Sequence, residues 1–279
     1  MRLRRLLSAA LGAVLLPVPA LSAQQADLFS QSASAQLMRQ FGGGNVSWLL
    51  LDRSGRILSE NWSDPGIPVA PGSLLKPFIA VAYGEQNGAG FPRVTCMGTQ
   101  SRCWLPKGHG RIGLEAAIAG SCNTYFRSLG NSLDLRRAQL VLARFGLKGP
   151  PDGATADALI GLTGQWRELP VDIARAYLKL AADPSDSTLQ LIRAGMRDAA
   201  QSGTAREVDL VLGSRAGLAK TGTAPCSHHP RAPGDGFALV LYPAEQPRLV
   251  LLVCMHGTTG AHAAGQAGAM LRTIAQGEQ

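Results

Sequence analysis

Three short strings in this 279-residue chain hold side chains able to make and break an acyl bond: Ser73-Leu74-Leu75-Lys76, Ser121-Cys122-Asn123 and Lys220-Thr221-Gly222-Thr223. A serine hydroxyl is a weak nucleophile until a base takes its proton. A lysine serves as that base only when burial or a neighbouring cation lowers its pKa. Lys76 follows Ser73 by one helical turn, so the two side chains share a face. Pro71-Gly72 breaks the chain just before, so a helix starts at or just after Ser73 and turns its positive end toward the serine oxygen. Lys220 is the neighbouring cation that could depress Lys76. Ser121 and Asn123 follow the helix-stopping Gly120, and their spacing lets both side chains point one way from an extended turn. A hydroxyl there can relay a proton toward a leaving amine, and an amide can bind a substrate carbonyl and contact Lys76. Ordinary N-capping ahead of Thr124-Tyr125-Phe126 is the competing reading, and both hold if the capping turn is also the platform.

The third string ends a predicted strand, with Lys220 and Gly222 on one face and Thr221 and Thr223 on the other. Gly222 permits close approach of another chain, so a peptide substrate could add along this edge as an extra strand. Lys220 and the threonine hydroxyls suit a terminal carboxylate. The backbone N–H groups of Ser73 and Thr223 are the natural donors to an oxyanion.

The elements that must position these residues follow from periodicity and breakers. An apolar strand is expected at 47–52, with a turn at Arg53-Ser54-Gly55 and a return over 56–62. Helices are expected at 74–86, 113–119, 123–129, 135–145, 171–182, 189–200 and 262–276, and 92–107 reads as irregular. Pro170 suits a first helical turn, where its missing N–H costs little. Strands at 216–223, 235–242 and 248–256 follow one another through turns alone, which makes the sheet mainly antiparallel. The expected fold is therefore α/β: an antiparallel sheet flanked by helices, with an inserted all-α subdomain, in one unit spanning 24–279.

The three strings and their flanks resemble the penicillin-binding protein transpeptidases of the serine DD-peptidase and β-lactamase superfamily. Pro71 to Phe78 is similar to their Pro-Gly-Ser-x-x-Lys-Pro-Phe run. The likeness extends over residues 46–274, through Gly108-His109-Gly110, Ser121 to Phe126, Leu169 to Tyr177, Gly203-Thr204-Ala205 and Ala219 to Ala224. It implies that Ser73 is the acylated nucleophile and Lys76 its base. Ser121 and Asn123 would form the second catalytic element, Lys220 would act with them, and Thr221, Gly222 and Thr223 would bind substrate. The implied activity is D-Ala-D-Ala transpeptidation or carboxypeptidation on peptidoglycan stem peptides, with β-lactams as covalent ligands. A serine β-lactamase and a non-catalytic wall-binding or regulatory module are the alternatives. Three departures weigh against the lactamases. The second string is Ser-x-Asn where class D enzymes have Ser-x-Val, and Gly161 stands near where class D enzymes have a tryptophan. Glu168 and Asp172 match the class A Glu-x-x-x-Asn spacing only faintly, so Glu168 is expected to be a solvated residue at a helix start.

Arg2, Arg4 and Arg5 precede an apolar run from Leu6 to Leu21 and small residues to Ala23, the layout of a signal peptide over 1–23. Export to the periplasm or beyond is the expectation, with an uncleaved anchor as the alternative and no membrane association after cleavage. That leader carries three of the positive charges, leaving about +5 of the formal +8 scattered over the remainder, with no cluster suited to nucleic acid. No cofactor is expected, and no metal. Cys226 with His228 and His229, and Cys254 with His256, have metal-ligand residue types, but the expected strand order separates them. Of the five cysteines, Cys96 and Cys103 are the expected disulfide in an exported chain, and Cys122 a small buried filler.

Overall fold

A computed structural model describes residues 19–183, 185–214, 216–226, 232 and 234–276. The chain runs α1 (Pro19–Phe41), β1 (Val46–Asp52), β2 (Ile57–Glu60), a 3-10 turn (Gly72–Leu75) that continues into α2 (Lys76–Asn87), β3 (Val94–Cys96), a second 3-10 turn (Gly98–Ser101), β4 (Gly110–Ile112), α3 (Leu114–Ala119), α4 (Asn123–Asn131), α5 (Leu135–Phe145), α6 (Ala156–Leu159), α7 (Pro170–Ala182), α8 (Ser187–Gln201), α9 (Glu207–Leu212), β5 (Leu218–Ala224), β6 (Asp235–Tyr242), β7 (Leu249–Met255) and α10 (Gly260–Gln276).

The main sheet has the order β2-β1-β7-β6-β5, and every neighbouring pair is antiparallel. β6 and β7 read as apolar runs without alternation because helices cover both faces of the sheet. One face packs Trp48, Leu50, Val240 and Leu251 against Leu37 of α1 and Ala264 and Leu271 of α10. The other packs Leu49, Leu51, Leu239 and Leu252 against Phe78 of α2 and Tyr177 of α7. The result is three layers, with β5 left as a sheet edge that no other strand of the main sheet covers.

Three expectations change. The inserted region is not all-α: β3, inside the stretch read as irregular, pairs with β4 just beyond it as a short antiparallel hairpin through Val94↔Ile112, Thr95↔Arg111 and Cys96↔Gly110. Three-residue strands carry too little periodicity to be read from sequence. The segment after the leader, for which no element was expected, is α1, anchored by Leu37 and by a Ser30 hydroxyl bond to the Leu58 carbonyl at 2.7 Å. The expected leader falls almost wholly outside the described residues, as do His228 and His229. No helix among the described residues is long and apolar enough to cross a membrane.

Glu168 is the third change. It is 0 % exposed rather than solvated. Its carboxylate accepts from the backbone N–H of Lys148 at 3.1 Å and of Gly149 at 3.0 Å, and from the Trp166 indole at 2.7 Å. Its backbone bridges to Val69, so it ties the loop before α7 to the approach to Ser73. A buried carboxylate persists only when donors replace its water, and here three do. Glu168→Ala should therefore strand three donors and cost about 3 kcal/mol or more. Thermal unfolding should show a midpoint lower by roughly 6–12 °C; an unshifted midpoint would contradict this bonding scheme.

Candidate active site

Ser73 sits in the 3-10 turn ahead of α2, on a backbone clamped by glycines. Gly72 has φ +58°, a conformation costly for any residue with a Cβ. A Cβ at Gly72 would lie 2.6 Å from the Thr223 carbonyl oxygen, and one at Gly222 would lie 2.3 Å from that of Pro71. A Cβ at Gly161 would lie 2.1 Å from the Gly72 oxygen. Gly222 thus admits the serine turn itself against β5. From the other side, the Tyr177 hydroxyl donates to the Leu74 carbonyl at 2.7 Å, with its ring edge-on to Phe78.

Lys76 starts α2 and is 0 % exposed. Its Nζ donates to the Ser121 carbonyl at 2.7 Å, to Ser121 Oγ at 3.3 Å and to Asn123 Oδ1 at 2.6 Å. Ser121 reaches this position because its φ is 49°, in the left-handed region that non-glycine residues seldom occupy. The Trp104 indole also donates to the Ser121 carbonyl, at 3.1 Å. α4 carries no side-chain cap at its start, so Ser121 and Asn123 serve Lys76 rather than the helix end. Burial, opposed by the Cys122 and Cys103 thiols, lowers the Lys76 pKa from 10.5 to about 7.

Lys220, on β5, is also 0 % exposed. Its Nζ donates to Ser121 Oγ at 2.9 Å and to the Thr221 carbonyl at 2.7 Å. Burial first, then repulsion from Lys76, holds its pKa well below the ordinary value. One hydroxyl therefore lies between two buried amines. In front of this group opens a cavity of about 530 Å³ lined by Ser73, Trp104, Ser121, Asn123, Thr221, Gly222 and Thr223, with Thr204, Arg206 and Glu207 across it. Lys220 lies behind that wall, so a carboxylate in the cavity would meet the threonines rather than the lysine. The Thr221 hydroxyl donates to that of Thr204 at 2.7 Å, and Thr223 Oγ1 accepts from the Gly260 N–H at 3.1 Å.

Every site residue named from the sequence thus converges on one place. Sequence reasoning missed the contacts of Thr204 with Thr221 and of Trp104 with the Ser121 carbonyl. The Gly203-Thr204-Ala205 string was visible, but only the fold aims its hydroxyl at Thr221. The expected Cys96–Cys103 disulfide is absent: both side chains are thiols. Cys96 and Cys103 instead turn toward His109, with Sγ–Nδ1 distances of 3.5 and 3.6 Å.

Residues 67–276, about three quarters of the chain, match the family model of the penicillin binding protein transpeptidase domain. No curated protein matches the sequence. Among solved structures, Pseudomonas aeruginosa PBP2 in complex with WCK 5153 is similar at TM-score 0.69 and 19 % identity, covering 91 % of this chain and 73 % of that one. Helicobacter pylori PBP2 in complex with MreC is similar at TM-score 0.72 and 18 % identity, covering 88 % of this chain and 63 % of that one. The transpeptidase domain of the Legionella pneumophila FtsI4 D,D-transpeptidase is similar at TM-score 0.62 and 17 % identity, covering 90 % and 95 %.

The buried lysines make stability depend on pH in a stated direction. Below about pH 7, Lys76 is protonated folded and unfolded, and the cost of burying its charge is fully present. Between about 7 and 10.5 only the unfolded chain holds that proton, so stability rises with pH across this window. Denaturant unfolding at a series of pH values should show that rise, and Lys76→Met should make it shallower, leaving the part that Lys220 contributes in the same direction; an equal slope in both proteins would refute the assignment.

Proposed function

Because this chain belongs to the penicillin-binding protein transpeptidase domain family, we propose that it is an exported serine acyl-transferase acting on the D-Ala-D-Ala ends of peptidoglycan stem peptides. It works as a DD-transpeptidase or DD-carboxypeptidase, and β-lactams acylate the same serine. The observation that carries this reading is the Ser121 hydroxyl held between two fully buried amines, Lys76 and Lys220, on the wall of the cavity that holds Ser73.

In this reading the substrate lies along the β5 edge with its terminal carboxylate on the hydroxyls of Thr221 and Thr223. Ser73 Oγ attacks the penultimate D-Ala carbonyl while its proton passes to neutral Lys76. The oxyanion is held by the Ser73 and Thr223 N–H groups, on the serine turn and β5, which the close Gly72 contact draws together. Collapse breaks the C–N bond, and the departing D-Ala amine takes its proton through Ser121 from the lysine pair. Asn123 fixes Lys76 and faces the substrate. An amine or water then attacks the Ser73 ester, with Lys76 accepting its proton, and frees the serine.

The β-lactamase alternative needs a poised base for the deacylating water. Glu168 is saturated by its three donors and is not among the residues lining the cavity, which favours a long-lived acyl-enzyme.

Incubation with a fluorescent penicillin followed by intact-mass analysis tests the proposal. One adduct per chain is expected, persisting over many minutes and absent in Ser73→Ala. Label that survives Ser73→Ala would overturn the nucleophile. Rapid multiple turnover of a chromogenic cephalosporin would favour the lactamase, and labelling without any D-Ala release a binding module. The acylation rate should increase as pH rises through about 7, where Lys76 loses its proton. Ser121→Ala should slow acylation by roughly 10²-fold or more; a rate close to wild type would remove Ser121 from the relay.

A further inference from the structure

Directly behind the Ser121-Cys122-Asn123 string, the side chains of Cys96, Cys103, His109 and Cys122 meet. Their three sulfurs and one ring nitrogen all lie within 4.8 Å of one another. Cys96 and Cys103 are 2 % and 6 % exposed and Cys122 is 0 % exposed. The Sγ atoms of Cys96 and Cys103 lie 3.5 and 3.6 Å from His109 Nδ1, and those of Cys103 and Cys122 lie 3.9 Å apart. A tetrahedral zinc ion with Zn–S bonds of ~2.3 Å and a Zn–N bond of ~2.1 Å sets its ligands apart by roughly 3.8 Å for sulfur–sulfur and roughly 3.6 Å for sulfur–nitrogen. The three separations quoted are those edges. A disulfide requires the sulfurs to approach to ~2.05 Å, which the Cys103–Cys122 pair does not do.

The surroundings are built for coordination. His109 Nε2 lies 3.1 Å from the Gly120 carbonyl. A ring that donates there keeps its Nδ1 lone pair aimed at the thiols, the way a ligating histidine is oriented. Cys96 Sγ is met by the Thr124 hydroxyl at 3.4 Å and that of Ser101 at 3.8 Å. The loop between Cys96 and His109 closes tightly on itself. A Cβ at Gly98 would lie 1.9 Å from the Pro106 oxygen, and one at Gly108 would lie 2.3 Å from the Cys96 oxygen. Trp104 packs edge-on against His109, with ring centroids 5.8 Å apart.

We propose that Cys96, Cys103, His109 and Cys122 form a structural zinc site that ties the β3–β4 loop to the turn carrying Ser121 and Asn123. Three thiolates and one imidazole in a closed, largely buried tetrahedron are the donor set and geometry zinc prefers. All four positions are filled by protein, so the ion has no open position for substrate and its role is to hold the fold. The four ligands come from β3, the loop after the second 3-10 turn, the residue before β4 and the residue before α4, and binding fixes these relative to each other. That the fixed turn is catalytic rests on the function proposed above; the zinc site does not. In the sequence, Cys226 and Cys254 carry the metal-ligand residue types but are set apart by the expected strand order, and the spacing from Cys103 to His109 to Cys122 follows no short repeated pattern.

The test is metal analysis of the whole protein purified without chelator, supported by cobalt substitution. About one zinc per chain is expected, displaced by cobalt to give the visible bands of tetrahedral coordination and thiolate-to-cobalt charge transfer. Chelation should expose three additional thiols to a titrating reagent and lower the unfolding midpoint, and zinc should restore both. Cys103→Ser and His109→Ala should each weaken zinc retention, and if either fails to fold, the wild-type readings still decide. A chain that neither retains nor takes up zinc while its thiols titrate freely would overturn the proposal, as would a mass showing a disulfide among Cys96, Cys103 and Cys122. Zinc bound without any penicillin labelling would leave the metal site standing and remove the catalytic reading instead.

Discussion

Burying one ammonium in protein costs several kcal/mol even after relaxation, and this fold buries two, Lys76 and Lys220, around the hydroxyl of Ser121. Each is offset by hydrogen bonds to fixed acceptors, and each becomes neutral more readily than a solvated lysine. That loss of charge turns an ordinary basic side chain into a base usable near neutral pH. Most of the surrounding architecture can be understood as holding the acceptors still. α2 begins at Lys76, β5 carries Lys220 in a seven-residue ladder with β6, and Ser121 holds a left-handed backbone that no regular element would impose.

The same demand for fixed distances explains the glycines. The serine turn, β5 and the loop at Gly161 come within backbone-to-backbone contact, and Gly72, Gly161 and Gly222 are the positions where any Cβ would force them apart. Position along the sheet matters as well. β5 is an edge of the sheet, so Thr221, Gly222 and Thr223 can line the cavity while β6 supports the strand from its other side. Glu168 works at longer range, joining three donors and the Val69 bridge on the approach to Ser73.

Behind Ser121, Cys122 packs into the same hydrophobic core as Tyr125 and Phe126 of α4. The turn rests on a short two-stranded hairpin and a tightly wound loop, where three thiols and an imidazole gather. A metal clip there would supply rigidity that three-residue strands cannot. Cys122 would then be held from one side while its neighbours Ser121 and Asn123 hold Lys76 from the other.

The strand and helix pattern was legible because long elements repeat their burial many times. The antiparallel β5–β6–β7 order, the helix after Ser73 and Pro170 in the first turn of α7 all follow from local periodicity and breakers. The three chemical strings were legible because their residue types and order resemble a known family, which sequence alone can carry. Tertiary structure decided what depends on meeting across distance. Glu168 looked solvated, since nothing local announces that Lys148, Gly149 and Trp166 will turn their N–H groups on it. Cys96 and Cys103 looked like a disulfide, since only the folded loop inserts His109 between them and brings up Cys122. Sequence by itself determined which groups are available and which segments stay regular. The pKa of Lys76, the open edge of β5 and the thiol cluster were set by burial and by contacts between residues far apart in the chain, and these exist only after folding.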